Sequence, residues 1–478
     1  MEVESSRKFA SKVGIVVLWI IALALLLRLF VYAAGFSRDS LQQDFSAFYT
    51  AGEALNHGLD PYQNHLNHDP PVWDGMNHFR HSRFLYPPLV ATIFQSVALI
   101  PYKYAKILWT IASFAFQAGS LFLLMRMTGV RTIRARRWAL PVIIIFVSLY
   151  YPLLTHLERG QIDTLTLLFF VLAISDLSKS RSVRAGAWFA LATLFKLHSI
   201  YVLPFLLLRR NWKTLGGYAL SGAIIIVLSF FINGTLLPDY LFKELPEISL
   251  RGERGTYDDL LPGIAISQKL AMLGKNQTDK DGVIYRAESF PFEQNASLIR
   301  IIGPFIPLTM SAVSVIVFAC LFLIIAFFIA HAQRDAGKGD NKDGQERDHA
   351  ALRQREEIIF WQIVMVVILL SGPLTWVMNT VWLLPALFIL IRPADNVSAG
   401  YIRGGGRLWG ILAISALILT ALPDLYFFDT LPFEARTTQK YVIAEFILLI
   451  SLLGMMKLHD LREKNPSDDE RPSDEKIH

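Results

Sequence analysis

Lys196 stands inside an apolar run, in Phe195-Lys196-Leu197-His198. An ammonium is expensive at bilayer depth and marks a functional position by default. Reaching an outer cavity, Lys196 and the neighbouring His198 could meet a phosphate; equally, Lys196 could form an ion pair with a helix carboxylate such as Asp163. A second group, Asp44, opens a stretch in which Phe45, Phe48, Tyr49, Gly52 and Leu55 recur at helical spacing. A helix lying on the membrane surface would put this carboxylate at the positive end of its dipole, which favours the ionised form. An ionised carboxylate at the mouth of a helical bundle can act as a general base. Asp is also a preferred N-cap, and that role needs no chemistry.

Other residues suit an anion. In Glu158-Arg159-Gly160-Gln161-Ile162-Asp163 one apolar run ends and another begins, so free N–H groups at Gly160 and Gln161 could face a phosphate beside Arg159, or Gln161 and Asp163 could simply cap. Arg80, His81 and Arg83 precede Tyr86-Pro87-Pro88 and suit a phosphate or an anionic head group, or ordinary snorkelling. Arg300 adds a further cation or an interfacial anchor. Between Gly372 and Pro385, Pro373 breaks a helix and Trp376 suits the interface, while packing accounts for most of the rest. His57, His65, His68, His78 and His81 show no metal-ligand spacing, Asp258-Asp259 stands alone, and P-loop, GxGxxG and GxSxG patterns are missing. No metal and no cofactor is expected.

These groups need elements to hold them. Of 478 residues 53% are apolar and only 18% charged, against about 25% charged in soluble domains, so the chain reads as an all-α polytopic membrane protein. Apolar runs lie near 13–34, 105–127, 139–155, 161–177, 185–196, 198–208, 214–232, 300–331, 358–371, 376–391, 408–423 and 440–457, about twelve transmembrane helices. Basic residues fill alternate connections, such as Arg131 to Arg137, Lys179 to Arg184 and Arg209 to Lys213, which should therefore all be cytoplasmic, as should both termini. The net charge of +6 is explained by these loops, not by nucleic acid.

The chain then divides into a transmembrane region over 1–332 with outer loops at 35–103 and 234–299, a charged cytoplasmic loop at 333–357, C-terminal transmembrane helices over 358–457 and a disordered cytoplasmic tail over 458–478. Residues 86–100 are too short for a span and read as interfacial or re-entrant. Residues 185–208 read as two half-helices turning at Lys196 to His198, an arrangement tolerated where it lines a cavity. The first run exceeds a signal-peptide core, and Arg28 interrupts it, so it reads as an uncleaved helix.

The order of motifs resembles glycosyltransferase family 87, the polyprenyl-phosphate-mannose-dependent mannosyltransferases of the GT-C class. It rests on Asp44 followed by FSAFYTAGEALNHGLDPY, LYPPL at 85–89, RGQID at 159–163, LFKLH at 194–198, QNASLIR at 294–300 and GPLTWVMNTVWLLPAL at 372–387. The resemblance implies a GT-C bundle of about a dozen helices whose first outer loop forms part of the active site. It implies Asp44 as catalytic base, and Lys196, Arg159 and Gln161 match its lysine and its RGQ-like turn; with them, His198 and Arg300 are expected to hold the donor phosphate, and Tyr86, Trp376 and Asn379 to position donor or acceptor. One departure stands out, because late-motif histidines typical of the family read Met378 and Asn379 here. Asn379 can hydrogen-bond a sugar hydroxyl but cannot take a proton at neutral pH.

The expected partners are a polyprenyl-phosphate sugar donor, a lipid-linked or glycan acceptor and the bilayer of the cell membrane. An isoprenoid donor anchors itself at about 0.8 kcal/mol per buried CH2, so only its head group needs orienting. The resulting expectation is an inverting hexosyl or mannosyl transfer at the extracytoplasmic face. The alternatives are a lipid or solute transporter using the same cations, and a polysaccharide polymerase or ligase using a lipid diphosphate donor.

Overall fold

The computed structural model describes residues 2–38, 43–62, 84–128, 133–246, 296–302, 305–306, 308, 310–336, 346–373, 375–390, 406–423 and 439–463. Among these residues the regular elements are all helical. The helices are α1 (Glu2–Arg38), α2 (Gln43–Asn56), α3 (Pro88–Ala98), α4 (Tyr102–Met127), α5 (Ile133–Leu149), α6 (Tyr151–Arg159), α7 (Asp163–Leu177), α8 (Ser182–Phe195), α9 (Val202–Leu208) and α10 (Trp212–Asn233), followed by elements named below by their residues. By length and composition, Lys12–Arg38, Tyr102–Met127, Trp212–Asn233 and Ser311–Ala330 can each cross a membrane. A bent pair, Arg137–Leu149 with Tyr151–Arg159, makes a fifth.

The bend has a local cause. Pro152, in the first turn of α6, lacks an N–H and its ring crowds the carbonyl four residues back, so the run near 139–155 turns through 55° at Tyr150. The half-helix reading of 185–208 matches the observed order of α8, a 3₁₀ turn at Leu197–Tyr201 and α9, with Lys196 extended at the break (φ −141°, ψ 97°). The 86–100 segment forms α3, whose 11 residues rise only about 16 Å.

Three sequence expectations are corrected. Arg300 does not open a long span over 300–331; it sits in a short helix, Leu298–Ile302, and the long helix begins at Met310. Pro304 and Pro307 lie between them, and neither can donate to a helical ladder. The run at 376–391 is a 3₁₀ segment, Val377–Leu383, followed by a short helix, Pro385–Leu390. Regular helix also invades two stretches read as solvated. Helices Met310–Ala336 and Glu346–Ser371 enter the charged loop at 333–357 from both ends, and Gln439–Glu463 continues into the tail at 458–478.

Aromatic packing seats the surface elements on the bundle. Phe48 stacks on Phe94 at 4.9 Å between centroids, and Phe45 on Trp109 at 5.9 Å. Trp109 in turn donates from Nε1 to the Gly160 carbonyl at 2.8 Å, fixing the α6–α7 turn to α4. Tyr62 donates to the Tyr86 carbonyl at 2.8 Å. At the α2–α3 crossing, Gly52 lets the helices touch, since a Cβ there would lie 2.5 Å from the Phe94 carbonyl oxygen.

Gly52→Ala should therefore push α3 away from α2 at a cost of about 1–3 kcal/mol. Thermal unfolding in detergent is expected to shift downward, and an unchanged midpoint would show that the crossing is looser than described.

Candidate active site

α6 stops at Arg159 because Gly160 adopts the left-handed conformation (φ 68°, ψ 38°), which glycine takes at little cost and which closes the helix with its N–H on the His156 carbonyl. Three residues after Gly160, Asp163 begins α7. The turn thereby sends Arg159 toward α2 and Asp163 into the bundle.

Arg159 meets Asp44 as a two-pronged pair, with Nε to Oδ2 at 2.5 Å and Nη2 to Oδ1 at 3.0 Å. Such fork-to-fork contacts are among the stronger charge-assisted hydrogen bonds. Gln161 also bonds the Asp44 carboxylate. Its Oε1 accepts from the Ile162 N–H at 3.1 Å and from the Tyr86 hydroxyl at 3.4 Å. Burial pushes the Asp44 carboxyl upward, but the charge and hydrogen bonds of Arg159, the bond from Gln161 and the charge of Lys196 hold it below its ordinary 3.8. It is ionised at neutral pH.

Beneath this pair lies another. Asp163 is fully buried, and its Oδ1 receives Lys196 Nζ at 3.3 Å and Asn379 Nδ2 at 2.6 Å, while its backbone carbonyl accepts from Trp382 Nε1 at 3.3 Å. The counter-ion reading of Lys196 is thus what the structure contains. Asn379 is held at its other end too, because Oδ1 accepts the Trp376 N–H at 2.6 Å. Its amide ties the late 3₁₀ segment to α7. The Tyr150 hydroxyl adds a 2.7 Å bond to the Thr380 carbonyl. Trp376 presents its ring 5.8 Å from the Arg159 guanidinium carbon, a cation–π distance.

The structure thus brings Asp44, Tyr86, Arg159, Gln161, Lys196, Trp376 and Asn379 into one neighbourhood. His198 rests on Trp382 at 5.3 Å between centroids, within reach of the charges of Lys196 and Asp163. The side chain of Arg300 and the whole of Arg80, His81, Arg83, His65, His68, His78 and Asp258-Asp259 lie outside the described residues. Among the described residues no group of three or more His, Cys, Asp or Glu is placed to hold a metal. Two site residues escaped the sequence reading of the chemistry. His156 is buried against Thr164, Nε2 to Oγ1 at 3.1 Å, and Trp382 braces Asp163. His156 lies one helical turn before Arg159, a spacing that could have signalled a shared face.

A family model described as glycosyltransferase family 87 matches residues 84–339, more than half of the chain. The chain belongs to glycosyltransferase family 87. It is accordingly a membrane glycosyltransferase, acting on sugar donor and acceptor substrates. No curated protein matches it. The family 87 match takes in Tyr86, Arg159, Gln161, Asp163, Lys196 and Arg300, whereas Asp44, Trp376 and Asn379 lie beyond its ends.

A carboxylate held low in the fold lends stability above its unfolded value, and that stability is lost as pH falls through the folded value. Asp44→Asn should therefore melt earlier than the unaltered protein, by about 1–3 kcal/mol of stability, at every pH above about 4. The gap should close only in stronger acid. Melting curves from pH 3 to 8 would check this, and a gap that instead closes between pH 5 and 7 would contradict a depressed Asp44.

Proposed function

We propose that this family 87 protein transfers a hexose, of the mannose type, from a polyprenyl-phosphate donor to an acceptor hydroxyl on the extracytoplasmic face of the cell membrane, with inversion at the anomeric carbon. The observation that carries this reading is the ionised Asp44 at the start of α2, paired with Arg159 and within the field of Lys196. A base and two cations then share one membrane-edge site.

In this mechanism Asp44 takes the acceptor hydroxyl proton as that oxygen bonds to the anomeric carbon. The sugar–phosphate C–O bond breaks, and polyprenyl phosphate leaves with the electron pair. Arg159 and Lys196 stabilise the charge that gathers on the departing phosphate, as aimed cations do in water-poor sites. While Arg159 is clamped on Asp44 the base is occupied; an arriving phosphate draws Arg159 off and leaves the carboxylate free for the acceptor. Gln161, His198 and Arg300 complete the phosphate surroundings in this reading, and Tyr86 and Trp376 orient donor or acceptor. Shorter apolar helices such as Ser182–Phe195 and Leu408–Ala421 accompany the long ones, and in this reading the bundle has about twelve helices. In this reading both termini lie inside and the loops at 35–103 and 234–299 outside, which the charge bias of the connections supports.

The test uses purified protein, a radiolabelled polyprenyl-phosphate sugar and an acceptor extract. Label is expected in a new product, and Asp44→Asn should slow its appearance about 10²–10⁴-fold. Unimpaired transfer by that variant would remove Asp44 as base. Movement of label across vesicles without bond cleavage would favour a transporter, and a requirement for a diphosphate donor would favour a polymerase or ligase. With Arg159 drawn to the donor, its opposition to burial weakens, so the acid limb of kcat should lie at higher pH than that of kcat/KM. Coincident limbs would show that Arg159 never leaves Asp44.

A further inference from the structure

We propose that Asp163 is a positioning residue that acts through Lys196, keeping the ammonium compensated so that the site accepts a singly charged phosphodiester donor yet releases the more highly charged phosphate monoester left after transfer. The inference rests on the phosphate-donor reading above.

A capping role does not account for this carboxylate. Asp163 lies inside α7, the cap position is Ile162, and no side-chain cap bond is present. The carboxylate instead reaches across to the α8 break and the late 3₁₀ segment, where one oxygen serves both Lys196 and Asn379. Its Oδ2 is buried without a hydrogen-bond partner. The charged and titratable groups around it are Lys196 and His198 from the broken helix, His156 from α6 and the Tyr86 hydroxyl.

The charge arithmetic decides the role. The two pairs carry two positive and two negative charges, so the cluster is neutral before a substrate enters. Breaking the sugar–phosphate bond turns a phosphodiester of one negative charge into a monoester of about −1.5 to −2 at neutral pH. Two uncompensated cations in a poorly screened setting would hold that product most tightly and stall turnover. A carboxylate 3.3 Å from the Lys196 ammonium competes with the phosphate for it and weakens the grip on the more charged species most.

The full-length protein in nanodiscs is titrated with sugar-free polyprenyl phosphate, and steady-state transfer is measured in parallel. Asp163→Asn retains an oxygen for Asn379 and is expected to bind polyprenyl phosphate about tenfold tighter, with kcat and the donor KM both lower. A purely structural lesion does not tighten binding, so equal or weaker binding by a folded variant overturns the proposal. Should Asp163→Asn fail to fold, Lys196→Gln is compared with Lys196→Gln/Asp163→Asn. The single variant leaves a buried, unpaired carboxylate facing the phosphate and is expected to bind more weakly than the neutral double variant. Equal affinities would overturn the proposal. If the unaltered protein neither binds polyprenyl phosphate nor transfers sugar from it, the donor reading fails and takes this inference with it. If it does both and Asp163→Asn shows no gain, only the role of Asp163 fails.

Discussion

Charge compensation in a poorly solvated place is the constraint on which the rest of this structure depends. Asp163 is fully buried and Lys196 nearly so, and the Asp44–Arg159 pair beside them is only partly open. Breaking either pair by removing one member would strand a charge away from water, which costs more than the pair itself contributes. The surrounding architecture answers that requirement. The left-handed Gly160 separates Arg159 from Asp163 so that each faces its own partner, and the break after α8 places Lys196 where an intact helix would have kept it among apolar neighbours.

The neutrality of the cluster also shapes what it can recognise. Both cations already have carboxylate partners, so an incoming anion must exchange contacts instead of filling an empty positive pocket. Exchange makes binding selective for a ligand that brings other affinity with it, as the bilayer-partitioned tail of the proposed donor would. The aromatic surfaces of Trp376 and Tyr86 border the same place, one against Arg159 and the other on Gln161.

Individual residues at the site were legible in the sequence because each violates its surroundings: a lysine in an apolar run, an aspartate opening an amphipathic stretch, an arginine before a glycine. The break at Lys196 was legible for the same reason. Pairing was less so, because which carboxylate meets which cation is decided by contacts spanning 115 residues for Asp44 and Arg159. Asn379 shows the difference. Its chemistry as an amide can be read from its type, but its commitment to Asp163 and Trp376 cannot. The runs at 300–331 and 376–391 were misread because apolar composition registers burial but not the interruption by Pro304 and Pro307, nor the tighter winding of Val377–Leu383.

The bond between Asn379 and Asp163 joins positions 216 residues apart. During synthesis, a ribosome has released Asp163 and Lys196 into the translocation machinery well before the amide that completes their cluster exists. The early helices must therefore house an incompletely satisfied carboxylate while the later ones are still being threaded, and maturation of this enzyme ends only when its last third has been inserted.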